Sequence, residues 1–144
     1  MKRFFILAAL LLIPGLLFAV TPTQTHGGSG KIKTLTIDVT TDAAGVQERL
    51  RLELPEYVFI WYVETDPGST APTDDYDLAI YNEMGIDVMG GALNNRDTAN
   101  SERAEPYIDS QYVSALPTQG PFYLDQTNNA IANATYRVRI YYTE

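Results

Sequence analysis

The sequence predicts an all-β chain, two antiparallel sheets packed face to face in a β-sandwich or jelly-roll-like domain. Three observations carry this. Apolar and polar residues alternate with a period of two in short runs; Gly, Pro, Asn and Asp separate the runs; and no sustained helical period follows residue 20. One sheet cannot hide its own apolar face, so a second sheet is the simplest cover. A partly closed barrel satisfies the same pattern, and no internal repeat suggests a solenoid.

The runs number about seven. In the first, Leu35, Ile37 and Val39 alternate with Thr34, Thr36, Asp38 and Thr40. Asp42-Ala43-Ala44-Gly45 reads as a turn, with Gly45 free to take a positive φ. Leu50, Leu52 and Leu54 then alternate with Arg49, Arg51 and Glu53. Leu and Arg also suit a helix, but a short stretch ending at Pro55 favours a strand. Residues 57–63 are apolar or aromatic on both faces: Tyr57, Phe59, Trp61 and Val63 on one, Val58, Ile60 and Tyr62 on the other. Such a strand is central or covered twice.

Asp66-Pro67-Gly68 opens a polar connection, and residues 76–81 return to strand. Residues 86–89 read as a short partner strand ended by Gly90-Gly91. Residues 92–118 lack periodicity and read as a long loop, with room for one helical turn near residues 100–103. Phe122 and Leu124 mark a further strand. The last, Tyr136, Val138, Ile140 and Tyr142 against Arg137, Arg139 and Tyr141, is among the clearest.

The first 19 residues read as a signal peptide. Lys2 and Arg3 precede an apolar run from Phe4 to Ile13, Pro14-Gly15 interrupts it, and Ala19 offers a cleavage point. The alternative is a retained membrane helix, but residues 4–20 fall short of the roughly 20 apolar positions a span needs. Cleavage leaves 125 of the 144 residues, enough for one domain. Residues 20–30, rich in Thr and Gly, read as a flexible leader, and 31–144 as a single β-sandwich domain. The expected location is outside the cytoplasm: extracellular, cell-surface or periplasmic, with no membrane span after cleavage.

The mature chain carries 8 basic and 18 acidic residues, a formal charge of −10. That balance repels nucleic-acid phosphates, and no Lys/Arg cluster offsets it. The absence of cysteine excludes disulfides, thiolate metal sites, a cysteine nucleophile and a lipid-anchored cysteine. No nucleotide fingerprint, phosphate loop, nucleophile elbow or paired-histidine metal motif occurs. The sole histidine, His26, lies in the leader and reads as a bystander. Ser114 has no identifiable base, and Lys31 and Lys33 have no apolar pocket signature. Asp66, Asp74, Asp75, Asp77 and Asp87 are the surplus carboxylates. Their spacing selects no acid–base pair for sugar hydrolysis and does not match a calcium loop, so solvated or turn-capping roles are expected, with a calcium-stabilised loop as the alternative. Export without disulfides or a lipid anchor leans towards a bacterial protein, so no glycan is expected at Asn133-Ala134-Thr135, although it matches the glycosylation pattern. No catalytic residue, cofactor or metal is therefore expected.

The segments Lys33-Thr34-Leu35-Thr36-Ile37, Thr41-Asp42-Ala43-Ala44-Gly45, Thr65-Asp66-Pro67-Gly68, Tyr76-Asp77-Leu78 and Gly85-Ile86-Asp87-Val88 resemble small phage and prophage-associated β proteins. Asn128-Asn129-Ala130 before the last strand fits the same pattern, so the likeness spans roughly residues 31–142. It implies a virion or surface-structural role and lends no catalytic residues. The signal peptide departs from a virion protein assembled in the cytoplasm and equally fits a cell-surface or extracellular assembly.

The expected function is thus a structural or interaction protein that self-associates or contacts another structural subunit. The alternative is a module binding glycan or another surface polymer. The candidate contact is the second face of residues 57–63, formed by Val58, Ile60 and Tyr62. Either a partner subunit covers it, or residues 92–118 fold over it as a flap through Tyr107, Ile108, Tyr112 and Val113.

Overall fold

A computed structural model describes residues 22–144; the signal-peptide assignment lies outside them. The described chain contains no helix and eleven strands, all paired antiparallel. These are β1 Thr23–Gly27, β2 Lys33–Thr40, β3 Leu50–Arg51, β4 Tyr57–Pro67, β5 Asp77–Tyr81, β6 Glu102–Ala104, β7 Tyr107–Ile108, β8 Gln111–Tyr112, β9 Leu116–Gln119, β10 Tyr123–Thr127 and β11 Thr135–Thr143. The larger sheet runs β1-β2-β11-β4-β6, with β9 also on β4; the smaller runs β3-β10-β5. Leu35, Ile37 and Val39 of β2, Val138 and Ile140 of β11, and Val63 of β4 share one buried core with Leu78, Ile80 and Leu124 of the smaller sheet. This is the sandwich the alternation predicts.

Five expectations change. Residues 23–27, within the expected flexible leader, form an edge strand on β2, from Thr23 opposite Asp38 to Gly27 opposite Thr34. Threonine and backbone pairing suffice for an edge strand even without apolar side chains. Residues 86–89 are not a strand: Asp87 accepts the Met89 and Gly91 amides at 2.9 and 2.7 Å, and this capped turn leaves only a bridge from Tyr81 to Asp87. Residues 92–118 are not a loop, nor residues 100–103 a helical turn, because β6 to β9 lie in that stretch. Residues 50–54 keep only a two-residue ladder.

The fifth change concerns β4. Tyr141 pairs with Tyr62, but Tyr142 pairs with Ile60, so Trp61 is an extra residue in β4. A bulge of one residue reverses the parity of everything beyond it. Val58 and Ile60 therefore point inward before the bulge, and Val63 and Thr65 after it, all four buried. Tyr57 and Phe59, assigned to the core by simple alternation, are 63% and 44% exposed. The bulge also divides β4's free edge. β9 pairs with residues 57–60 and β6 with residues 63–65, and the chain between them leaves the sheet as the β7–β8 hairpin.

Near β6 the core holds an under-satisfied phenol. Tyr76 is fully buried, its ring 5.4 Å from that of Tyr136, and its hydroxyl has no hydrogen-bond partner among the described residues. Burial pushes the Tyr76 phenol up to about 12 and raises that of Tyr136 further. A raised folded-state value means that the unfolded chain loses its proton first. Stability is then full below pH about 10 and falls as pH rises through about 12. At about 1.4 kcal/mol per unit, Tyr76 alone withdraws on the order of 2–3 kcal/mol across that window. Tyr76→Phe should leave neutral-pH stability within about 1 kcal/mol, because it removes an unpaired buried hydroxyl. It should also blunt the alkaline loss, read by urea unfolding at pH 7 and pH 11. An unchanged alkaline slope would refute the assignment to Tyr76.

Candidate interaction surface

With the inner face of the larger sheet filled by core, its outer face is what the molecule presents. Alternation along β2 and β11 sends Thr34, Thr36, Asp38, Arg137, Arg139 and Tyr141 outward, and the bulge sends Tyr57, Phe59, Tyr62, Glu64 and Asp66 to join them. Two zones result. In the polar zone, Arg137 Nε donates to Asp38 Oδ1 at 2.6 Å, and Arg139 lies 3.8 Å from Glu64 and 3.7 Å from Asp66. Tyr141 donates its hydroxyl to Glu64 at 2.9 Å. Burial and the Glu64 carboxylate hold the Tyr141 phenol above its ordinary value. These side chains are part-exposed, so each pair contributes at most about 1 kcal/mol and mainly fixes rotamers.

In the aromatic zone Tyr62 stacks on Tyr141 with centroids 4.2 Å apart, and the Arg103 guanidinium sits 3.7 Å over the Tyr62 ring. Cross-strand register places Tyr62 opposite Tyr141 and Glu64 opposite Arg103. At the bulge, Trp61 donates Nε1–H to Thr143 Oγ1 at 3.3 Å. Tyr57 and Phe59 continue the zone, opposite Gln119 and Pro117 of β9. An open recess of about 750 Å³ adjoins Trp61, lined by Ile32, Lys31, Lys33, Thr143 and Glu144.

Of the three expected contact residues, Val58 and Ile60 are therefore corrected to core positions, and Tyr62 alone stands on the outer face. The bulge at Trp61 is the reason. The alternative flap of residues 92–118 does not form either. Tyr107 and Tyr112 pack on each other at 4.8 Å in the hairpin, Tyr112 remaining 71% exposed, while β6 and β9 fill the edge of β4 rather than its face. An unpaired strand edge holds several backbone donors and acceptors that must be satisfied, which favours edge pairing over face cover. Sequence reasoning missed Arg103 and Glu64. The alternation of Arg137 and Arg139 marks β11's outer face, but no local signal names the partners across the sheet.

Elsewhere the chain neutralises its own groups. Arg49 makes a bidentate contact with Asp125 and lies 5.4 and 5.7 Å from the Tyr81 and Tyr123 ring centroids. A recess of about 400 Å³ contains Arg96 and Arg103, each paired with a glutamate, Glu102 and Glu105 respectively. Asp42, Asp87 and Asp97 cap turns, and Asp77 accepts from the Asn95 amide and the Asn128 side chain. Among the described residues no three His, Asp or Glu side chains are grouped to hold a metal ion, and no helix is long and apolar enough to cross a membrane.

No family model matches the chain, and no curated protein matches its sequence. A solved chain does match in three dimensions. It belongs to the structure titled "Cyanophage Pam1 capsid asymmetric unit", with a TM-score of 0.52 and 16% identity over 88% of this chain and 94% of that one. The two chains share a fold. At this identity the likeness speaks of architecture alone.

Proposed function

We propose that this chain is a non-enzymatic structural subunit, exported or virion-borne, that works by contact with further subunits through the outer face of its larger sheet. The observation that carries this reading is the exposed aromatic row Tyr57–Phe59 running into the part-exposed stack of Tyr62, Tyr141 and Arg103. Interface cores favour aromatic residues and arginine, and a flat sheet face orders them without loop entropy. The shared fold with a chain of a phage capsid structure supports a role in assembly. The amino-terminal pattern supports export, for which N-terminal sequencing should find Val20 first; retention of residues 1–19 would reverse that part.

Sedimentation velocity of the exported chain should give oligomers at micromolar concentration. Tyr57→Asp with Phe59→Asp should convert them to folded monomers of unchanged β spectrum, because both side chains stand outside the core. A chain that is monomeric up to high micromolar concentration would defeat autonomous self-assembly.

A further inference from the structure

Strand β1 differs from every other strand of the larger sheet in how it is held. It contains no apolar side chain, and none of its residues is buried. Its attachments are the five-residue ladder to β2 and two side-chain clips. Gln24 gives its amide to the Arg51 carbonyl at 2.8 Å and receives the Glu53 amide at 2.9 Å, so one side chain bridges the two sheets. His26 Nδ1 lies 3.3 Å from the Tyr142 hydroxyl, and its Nε2 lies 3.8 Å from Glu53. The Gln24 bonds are exposed and the His26 contact is part-buried, and hydrogen bonds of this kind hold with little net free energy. No hydrophobic term secures β1 to its own chain.

The connection to β2 is equally distinctive. Gly28 and Gly30 adopt φ of +95° and +82°, and a Cβ at Gly28 would lie 2.7 Å from the Ile32 carbonyl oxygen. The fold-back therefore depends on glycine at position 28. Ile32, 45% exposed in this turn, sits at the apolar recess beside Trp61. A hinge that opens instead of folding back extends residues 28–32 away from β2 and frees Thr23–Gly27 to reach the edge of another sheet.

We infer that Thr23–Gly27 is an exchangeable arm, delivered to the β2 edge by a second copy of this chain. The inference rests on the assembly reading above and names one of its contacts. The second copy is the fitting occupant because it reproduces the ladder and the Gln24 and His26 clips without new chemistry.

The chain has no cysteine, which allows a direct test. Thr25 stands opposite Thr36. Antiparallel partners have Cα atoms about 4.5–5.5 Å apart, within disulfide range. Thr25→Cys with Thr36→Cys in the full chain is oxidised, then run by non-reducing denaturing electrophoresis and by sedimentation, beside the Thr25→Cys single variant. Expected is that most of the cross-linked chain migrates as covalent dimer or larger. Adding Gly28→Ala, which disfavours the fold-back turn, should raise the dimer-to-monomer ratio several-fold. Oligomers whose cross-links stay within single chains would overturn arm exchange and leave assembly standing. Monomers with internal cross-links would overturn both. Equal dimer in the single-cysteine control, or no cross-link at all, would also overturn the exchange.

Discussion

Ile60→Asp leaves the chain without a cooperative folded state, while Phe59→Asp, one residue earlier, keeps a β spectrum and a sharp urea transition. Ile60 is 0% exposed, paired with Tyr142 on one side and Leu116 on the other. An unpaired carboxylate there costs several kcal/mol or forces its own protonation. A domain of this size holds only about 5–15 kcal/mol in total, so the loss is decisive. The milder Ile60→Ala should cost about 2–5 kcal/mol through lost transfer and a cavity. Phe59 is 44% exposed, and its replacement should cost about 1 kcal/mol or less. Circular dichroism and urea unfolding of the three variants read the difference. Simple alternation predicts the opposite order, so a folded Ile60→Asp beside an unfolded Phe59→Asp would put the bulge at Trp61 in the wrong place.

Gly90→Ala should be the most damaging single change outside the sheets, lowering stability by about 2–4 kcal/mol, or roughly 10 °C in Tm. Gly90 takes φ +62°, and an added Cβ would overlap the Tyr107 carbonyl oxygen. The clash falls where Tyr107 donates its amide to Met89 at 3.0 Å, the bond that ties the β7–β8 hairpin to the turn capped by Asp87. Backbone on backbone cannot yield by rotamer change, so the hairpin should detach. Limited proteolysis should then cut within residues 105–115 well before the rest of the domain, as expected for local unfolding. Gly85→Ala serves as the control: φ is +75° there, but an added Cβ has no neighbour within contact distance. Equal losses at both glycines would mean that backbone conformation alone, and not the hairpin contact, sets the cost.

The two variants probe different kinds of information. Gly90-Gly91 is visible in the sequence as a stop, and a stop it is, but nothing local says that a carbonyl seventeen residues later packs against it. Similarly, residues 92–118 show no period because β6 to β9 are two to four residues long, shorter than the window in which alternation can be recognised. Their pairing is a property of β4's long free edge, not of their own composition.

What the sequence by itself determined is the class of fold and the faces of its regular strands. In β2, β5 and β11 the period of two is unbroken, and Leu35, Ile37, Val39, Leu78, Ile80, Val138 and Ile140 are all buried as it requires. What only the tertiary structure decided is the candidate surface. On β4 both faces are apolar, so hydropathy carried no sign of direction. The partner strand β11 chose it, by skipping Trp61 between Tyr141 and Tyr142. That single unpaired residue drew Val58 and Ile60 inward and left Tyr57 and Phe59 outside beside Tyr62. Parity along a strand is local, but the place where it breaks is set by register with a neighbour some eighty residues away in the chain.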